Sequence, residues 1–173
     1  MNLSDALRNL AILEGRYTVD DGGPTESGIT QEAYDQYCTD MGLPSTPVQD
    51  LTQIQISNFY QVNYWDPLMC DKLQNGVDFV LFQWALNHEG AGDRGGSVKT
   101  IQICSGVVPD GIMGSETVTA ANHINSMKLM SCMLARQEAW YRNEYEKNSS
   151  MPLGGWLNRI KKVKKIVGLP EDV

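Results

Sequence analysis

The stretch Leu3-Ser4-Asp5-Ala6-Leu7-Arg8-Asn9-Leu10-Ala11-Ile12-Leu13-Glu14 runs straight into Gly15-Arg16-Tyr17, and then into Asp20-Asp21-Gly22-Gly23-Pro24-Thr25-Glu26-Ser27-Gly28-Ile29-Thr30. Leu3, Leu7 and Leu10 recur at helical spacing with Ala6 and Ala11 beside them, which predicts an amphipathic helix. Asn2 or Ser4 can cap its start, Asp5 suits the first turn, and Gly15 can take the left-handed conformation that stops it. The acidic, Gly-rich run that follows has turn chemistry, and a small β-hairpin is expected between Tyr17 and Gly28.

Helical signals continue outward from this stretch. Thr30 is a good N-cap for a helix through Glu32 and Tyr37 that Gly42 and Pro44 close, and residues 52–64 read as mostly helical before Trp65-Asp66-Pro67 breaks the pattern. Asp78 is expected to cap a strongly apolar, buried helix from Phe79 to His88. Glycines at 90, 92, 95 and 96 mark a loop, after which Ser97 is expected to open a short helix that Gly106 ends. Ser115 is expected to cap the next helix, a long one is predicted over about 124–147, and Trp156, Ile160, Val163 and Val167 stripe a last amphipathic helix. The chain reads as mainly α, with no internal repeat.

At 173 residues the chain lies within the range of one domain, and one compact unit is expected. No apolar run approaches the roughly 20 residues that span a bilayer, so no stable membrane insertion is expected. The N-terminus lacks the basic and apolar regions of a signal peptide, so export is expected to need another route. A net charge of −7 argues against nucleic-acid binding. Arg159, Lys161, Lys162, Lys164 and Lys165 nevertheless concentrate positive charge in the last helix, a face that can meet an anionic polymer or simply be solvated. Cys38, Cys70, Cys104 and Cys132 are widely spaced without a C-x-x-C pair, so neither a zinc site nor a redox motif is expected. Free, buried thiols are the expected state, with two bridges as the alternative in an oxidising compartment.

The chemistry-bearing candidate is Glu14. It continues the apolar stripe of the first helix, where lost hydration would raise its pKa and make it a proton donor near neutral pH. Carboxylates follow at Asp20 and Asp21, and a pair of carboxyl groups is what glycosidic-bond cleavage uses. The competing readings are a Glu swinging into water at a frayed helix end, and an ordinary surface turn.

Other motifs fall away. Residues 23–30 have the glycine spacing of a phosphate-binding loop, but Ile29 stands where that motif needs a lysine. His88-Glu89 lacks the second histidine of a zinc protease, His123 is distant, and no G-x-S-x-G elbow occurs. No cofactor and no metal are expected.

Glu14-Gly15-Arg16-Tyr17, the Asp20-Asp21-Gly22-Gly23 loop with Thr25, and Gly28-Ile29-Thr30 together resemble the signature of glycoside hydrolase family 108, the N-acetylmuramidases of phage endolysins and secretion-associated muramidases. The resemblance continues through Tyr64-Trp65-Asp66 and the Phe82-to-Asn87 helix. It then enters Pro109-Asp110-Gly111-Ile112-Met113-Gly114-Ser115-Glu116-Thr117, which is similar to peptidoglycan-binding modules. Two departures stand out: Arg16 replaces the second Gly of the opening motif, and the loop between Tyr17 and Gly22 is short. Both bear on which aspartate assists Glu14.

The resemblance implies a lysozyme-like fold, with a catalytic region over 1–90 and a helical, wall-binding region over 91–173 packed on it. It implies hydrolysis of the β-1,4 bond between N-acetylmuramic acid and N-acetylglucosamine, with Glu14 as general acid, Asp21 or Asp20 as the assisting carboxylate and Thr25 holding water. Tyr17, Tyr64, Trp65, Trp84 and Asn87 are candidate sugar contacts, and each aromatic serves equally well as core. The expected partner is the peptidoglycan glycan strand, met by a monomer after holin- or secretion-dependent release from the cytoplasm. A lytic transglycosylase needing one Glu alone and a binding-only wall module are the alternatives.

Overall fold

In the computed structural model, residues 1–14, 18–20, 23–26, 28–88 and 95–170 are described. Among them are eight α-helices and one small sheet, the mainly α, lysozyme-like architecture expected from the sequence. By packing the chain divides into two units, Asn2–Pro67 and Met1 with Leu68–Val173. That division lies at 67/68, whereas the expected functional regions meet at 90/91, so the apolar helix ending at His88 belongs to the C-terminal unit.

The N-terminal unit opens with α1 (Leu3–Glu14), whose first turn is held by Asn2: its Oδ1 accepts from the Asp5 N–H at 2.8 Å. Leu3, Ala6 and Leu10 are buried while Ala11 and Ile12 face solvent, so the apolar stripe is narrower than the sequence suggests. Three short antiparallel strands follow, β1 (Thr18–Asp20), β2 (Gly23–Glu26) and β3 (Ile29–Thr30), in the order β1-β2-β3. The expected hairpin thus gains a third strand. It exists because Ile29, 1% exposed, anchors it in the core and because Thr30 starts α2 (Gln31–Met41), its Oγ1 accepting from the Ala33 N–H at 3.2 Å.

Thr52 and Gln55 form a reciprocal capping box at the start of α3 (Gln53–Tyr60), on which α1 packs. The helix then widens into one π turn over Gln61–Trp65, closed by the Asp66 N–H donating to the Gln61 carbonyl at 2.9 Å. Tyr34, Tyr37, Phe59, Tyr60 and Tyr64 meet with ring centroids 5.5–6.4 Å apart, the tilted and edge-on contacts that aromatic quadrupoles favour.

The C-terminal unit is built around α4 (Val77–His88), where Val77, Phe79, Val80, Leu81, Phe82 and Ala85 are all at most 1% exposed. A helix apolar all round belongs at the centre. Asp78 lies in its first turn, not at the cap: its Oδ1 accepts from the Gly76 and Phe79 N–H groups at 2.8 and 2.7 Å, and its Oδ2 pairs with the Met1 ammonium. Gly76 sits at φ 88°, the left-handed region that favours glycine, and an added Cβ would come within 2.8 Å of Met130 Sδ, displacing the end of that flexible side chain.

Around α4 lie α5 (Gly95–Ser105), α6 (Ser115–His123), α7 (Ser126–Lys147) and α8 (Leu153–Ile166). The α5 helix starts two residues before Ser97. Ser115 is the first helical residue of α6 and Gly114, whose backbone is extended, is its cap, with no side-chain bond closing that end. The expectation of four free thiols is corrected: Cys104 on α5 and Cys132 on α7 are disulfide-bonded, their Cα atoms 5.9 Å apart. Helix packing brings together two cysteines that sequence spacing separates by 28 residues. Cys38 and Cys70 are buried and take part in no disulfide among the described residues.

Candidate functional site

Glu14 is the last residue of α1, and only three residues separate it from β1. Its side chain lies outside the described residues, as do Tyr17 and Asp21. The backbone register is defined: Thr18 pairs with Thr25, Val19 with Pro24 and Asp20 with Gly23, while Thr25 also pairs with Thr30. Thr25 is therefore the middle of a Thr18–Thr25–Thr30 row across the sheet, and Asp20 ends β1 where the hairpin turns. A helix-terminal Glu followed by a hairpin whose first strand ends at Asp20, with Asp21 next in sequence, gives the sequence order needed for an acid and a carboxylate on one loop system.

The aromatic candidates resolve toward the core. Tyr64 and Trp65 are 5% and 1% exposed in the N-terminal unit, which leaves no ring face for stacking on a sugar. Trp84, 3% exposed, belongs to the C-terminal unit, in a cluster with Tyr141 and Ile160 and edge-on to Trp140 and Tyr141 at 5.6 Å. Asn87, in the same unit, is half-buried and held by a chain of bonds that the sequence does not reveal. Arg159 Nε donates to Gln83 Oε1 at 3.2 Å, Gln83 Nε2 to Gln137 Oε1 at 3.0 Å, Gln137 Nε2 to the Tyr141 hydroxyl at 2.9 Å, and that hydroxyl to Asn87 Oδ1. Buried amides in a fully directed chain fix a side chain's orientation. Polar residues on an otherwise apolar helix, Gln83 above all, are the signal that could have located it.

The Asp110–Thr117 segment is a built turn. Gln102, 2% exposed on α5, reaches it with both ends of its amide: Nε2 lies 2.7 Å from Asp110 Oδ1, 3.1 Å from the Ile112 carbonyl and 3.2 Å from Thr117 Oγ1, and Oε1 accepts from the Gly111 N–H at 2.9 Å. Gly111 has φ 81°, the left-handed conformation that the turn needs. The Ile112 N–H, donating at 2.8 Å, and then the Gln102 amide hold the Asp110 carboxyl below the usual aspartate range. A cavity of about 200 Å³ opens here, edged by Val108 and Ile112, which are 74% and 71% exposed.

The basic helix needs one correction. Arg159 is buried and bonded to Gln83, so the exposed charge of α8 comes from Lys161, Lys162 and Lys165, with Lys164 half-buried. Among the described residues no group of His, Cys, Asp and Glu could hold a metal ion, and no helix is long and apolar enough to cross a membrane.

Residues 7–89 match the family described as Glycosyl hydrolase 108. Among solved structures the chain is similar to Brucella abortus SagA, with 25% sequence identity and a TM-score of 0.74 over 94% of this chain and 91% of that one. No curated protein sequence matches it significantly. Glu14, Asp20 and Thr25 all fall inside the matched segment, whereas Asp110–Thr117 lies beyond it. Through residues 7–89 the chain is thus similar to glycosyl hydrolase 108, a similarity that supports a glycoside hydrolase.

Proposed function

We propose that the protein is an N-acetylmuramidase, hydrolysing the β-1,4 bond between N-acetylmuramic acid and N-acetylglucosamine. The observation that carries this reading is the place of Glu14: it ends α1 and leads directly into the Asp20–Thr25 hairpin, all within the segment similar to glycosyl hydrolase 108. Glu14 protonates the leaving oxygen. Asp21, with Asp20 as the alternative, stabilises the positive charge that develops on the sugar, and Thr25 holds the attacking water. Asn87 contacts the glycan, oriented through Tyr141 and Gln137.

The region over 91–173, with the Asp110–Thr117 turn at its centre, holds the wall. The enzyme acts as a monomer, on the wall side of the membrane, after holin- or secretion-dependent release. The Cys104–Cys132 bridge supports an oxidising destination, since such bonds are rare in a reducing cytoplasm.

Dye release from purified peptidoglycan tests turnover, and the mass of the released muropeptides tests its chemistry. A muramidase leaves reducing N-acetylmuramic acid. Anhydro products would replace this reading by a lytic transglycosylase, and binding without release would leave a wall-binding module.

A further inference from the structure

We propose that the groove between α5 and α7 binds a carboxylate-bearing peptide, which, on the muramidase reading above, is the stem peptide attached to the glycan. Cys104 and Cys132 join the two helices at one end of it. From Cys132 the residues Arg136, Trp140 and Asn143 follow along α7 at helical spacing, on the face that carries the bridge. On α5, Ile103 stands three and four residues after Thr100 and Lys99, so these three share one face of that helix. These two rows line a groove of about 390 Å³.

Its charge is the informative feature. Lys99 and Arg136 enter from opposite walls, both exposed, and neither forms an ion pair among the described residues. Lys99 is near enough to Asp110 to favour its ionised form without contacting it, whereas Arg142 and Lys147 on α7 are each paired with a glutamate. On a chain of net charge −7, two cations facing one cavity with no ion pair among the described residues are complementary to an anion. An Arg and a Lys can each donate charge-assisted bonds to a carboxylate.

The walls select among anions. Ile103, 41% exposed, and the half-buried Trp140 offer apolar surface beside the charges, which suits the methyl groups of a short peptide and would be wasted on a phosphate. Trp140 is held in the groove wall by an edge-on contact with Trp84 at 5.6 Å and a tilted one with Trp156 at 5.9 Å. Asn143 supplies an amide for the peptide backbone.

The probe is acetyl-Ala-γ-D-Glu-Lys with free carboxylates, titrated calorimetrically against the full chain beside its fully amidated counterpart. The free acid should bind, amidation should weaken binding about ten-fold, and Lys99→Gln with Arg136→Gln should weaken the free acid to a similar degree without shifting Tm. Equal binding of acid and amide, no binding at millimolar peptide, an indifferent double variant, or displacement by equimolar inorganic phosphate would each overturn the proposal. Dye release from whole wall by the same wild-type preparation keeps the two readings apart. Release without peptide binding removes the groove assignment and leaves the hydrolase, and peptide binding without release does the reverse.

Discussion

Replacing Gln102 by Leu probes the turn that the wall-binding proposal depends on. The Gln102 amide has two hydrogens for three acceptors, so it donates two bonds at any moment and accepts a third from the Gly111 N–H. At about 1 kcal/mol net per bond the loss would approach roughly 3 kcal/mol. Water can replace the amide at Asp110 and Ile112, which are exposed, but less readily at Thr117, which is 3% exposed. We therefore expect a destabilisation of about 2 kcal/mol, which in a chain of this length lowers Tm by roughly 4–8 °C. Scanning calorimetry is the assay, because it resolves a separate transition if the two units melt apart. Gln102→Glu should cost more, since it places a carboxylate against Asp110. A Tm within about 1 °C of wild type for Gln102→Leu would refute the argument that this amide organises the turn. The pH dependence has a defined sign: the folded pKa of Asp110 is depressed, so its contribution is present above the unfolded value of about 3.9 and is lost as pH falls through the lower folded value.

Serine at both Cys104 and Cys132 should cost about 3–4 kcal/mol by loop-closure entropy over the 28-residue separation, and wild type under reductant should show the same drop in Tm; an unchanged melt in both would show the bridge to be absent in solution. Asp21→Asn should reduce wall hydrolysis more than Asp20→Asn, because Asp21 directly precedes Gly22-Gly23, and equal small effects would favour a single-Glu transglycosylase. Gln at Lys161, Lys162, Lys164 and Lys165 together should weaken action on whole wall at low salt, with the difference fading as the Debye length falls below its ~8 Å at physiological salt; unchanged low-salt activity would show that face to be merely solvated. Truncation at 159 is the poorer test, since Arg159, Ile160 and Val163 are buried.

What the sequence makes legible here is local. Thr30 and Gly42 punctuate α2 through bonds to residues no more than four positions away, and each stands where turn and cap chemistry places it. The central place of α4 follows from its unbroken apolar run. What is not legible depends on partners distant in sequence. Nothing near Cys104 announces Cys132, nothing near Asn87 announces Tyr141, and Gln102 meets its turn only because α5 and the segment after it fold back together. Tyr64, Trp65 and Trp84 show the same limit from the other side: an aromatic at helical spacing suits a cleft or a core equally, and burial alone decides. Glu14 is a candidate through its position on the α1 stripe and its match to the family signature, two readings that use neighbouring residues only.

The central claim rests on Glu14, and Glu14→Gln is its most direct test. The substitution keeps the side chain's volume and removes the proton that a general acid must give. Dye release from purified peptidoglycan should fall about 10²–10⁴-fold, with Tm and circular dichroism unchanged. A well-folded Glu14→Gln protein that still released dye at near wild-type rate would contradict the account.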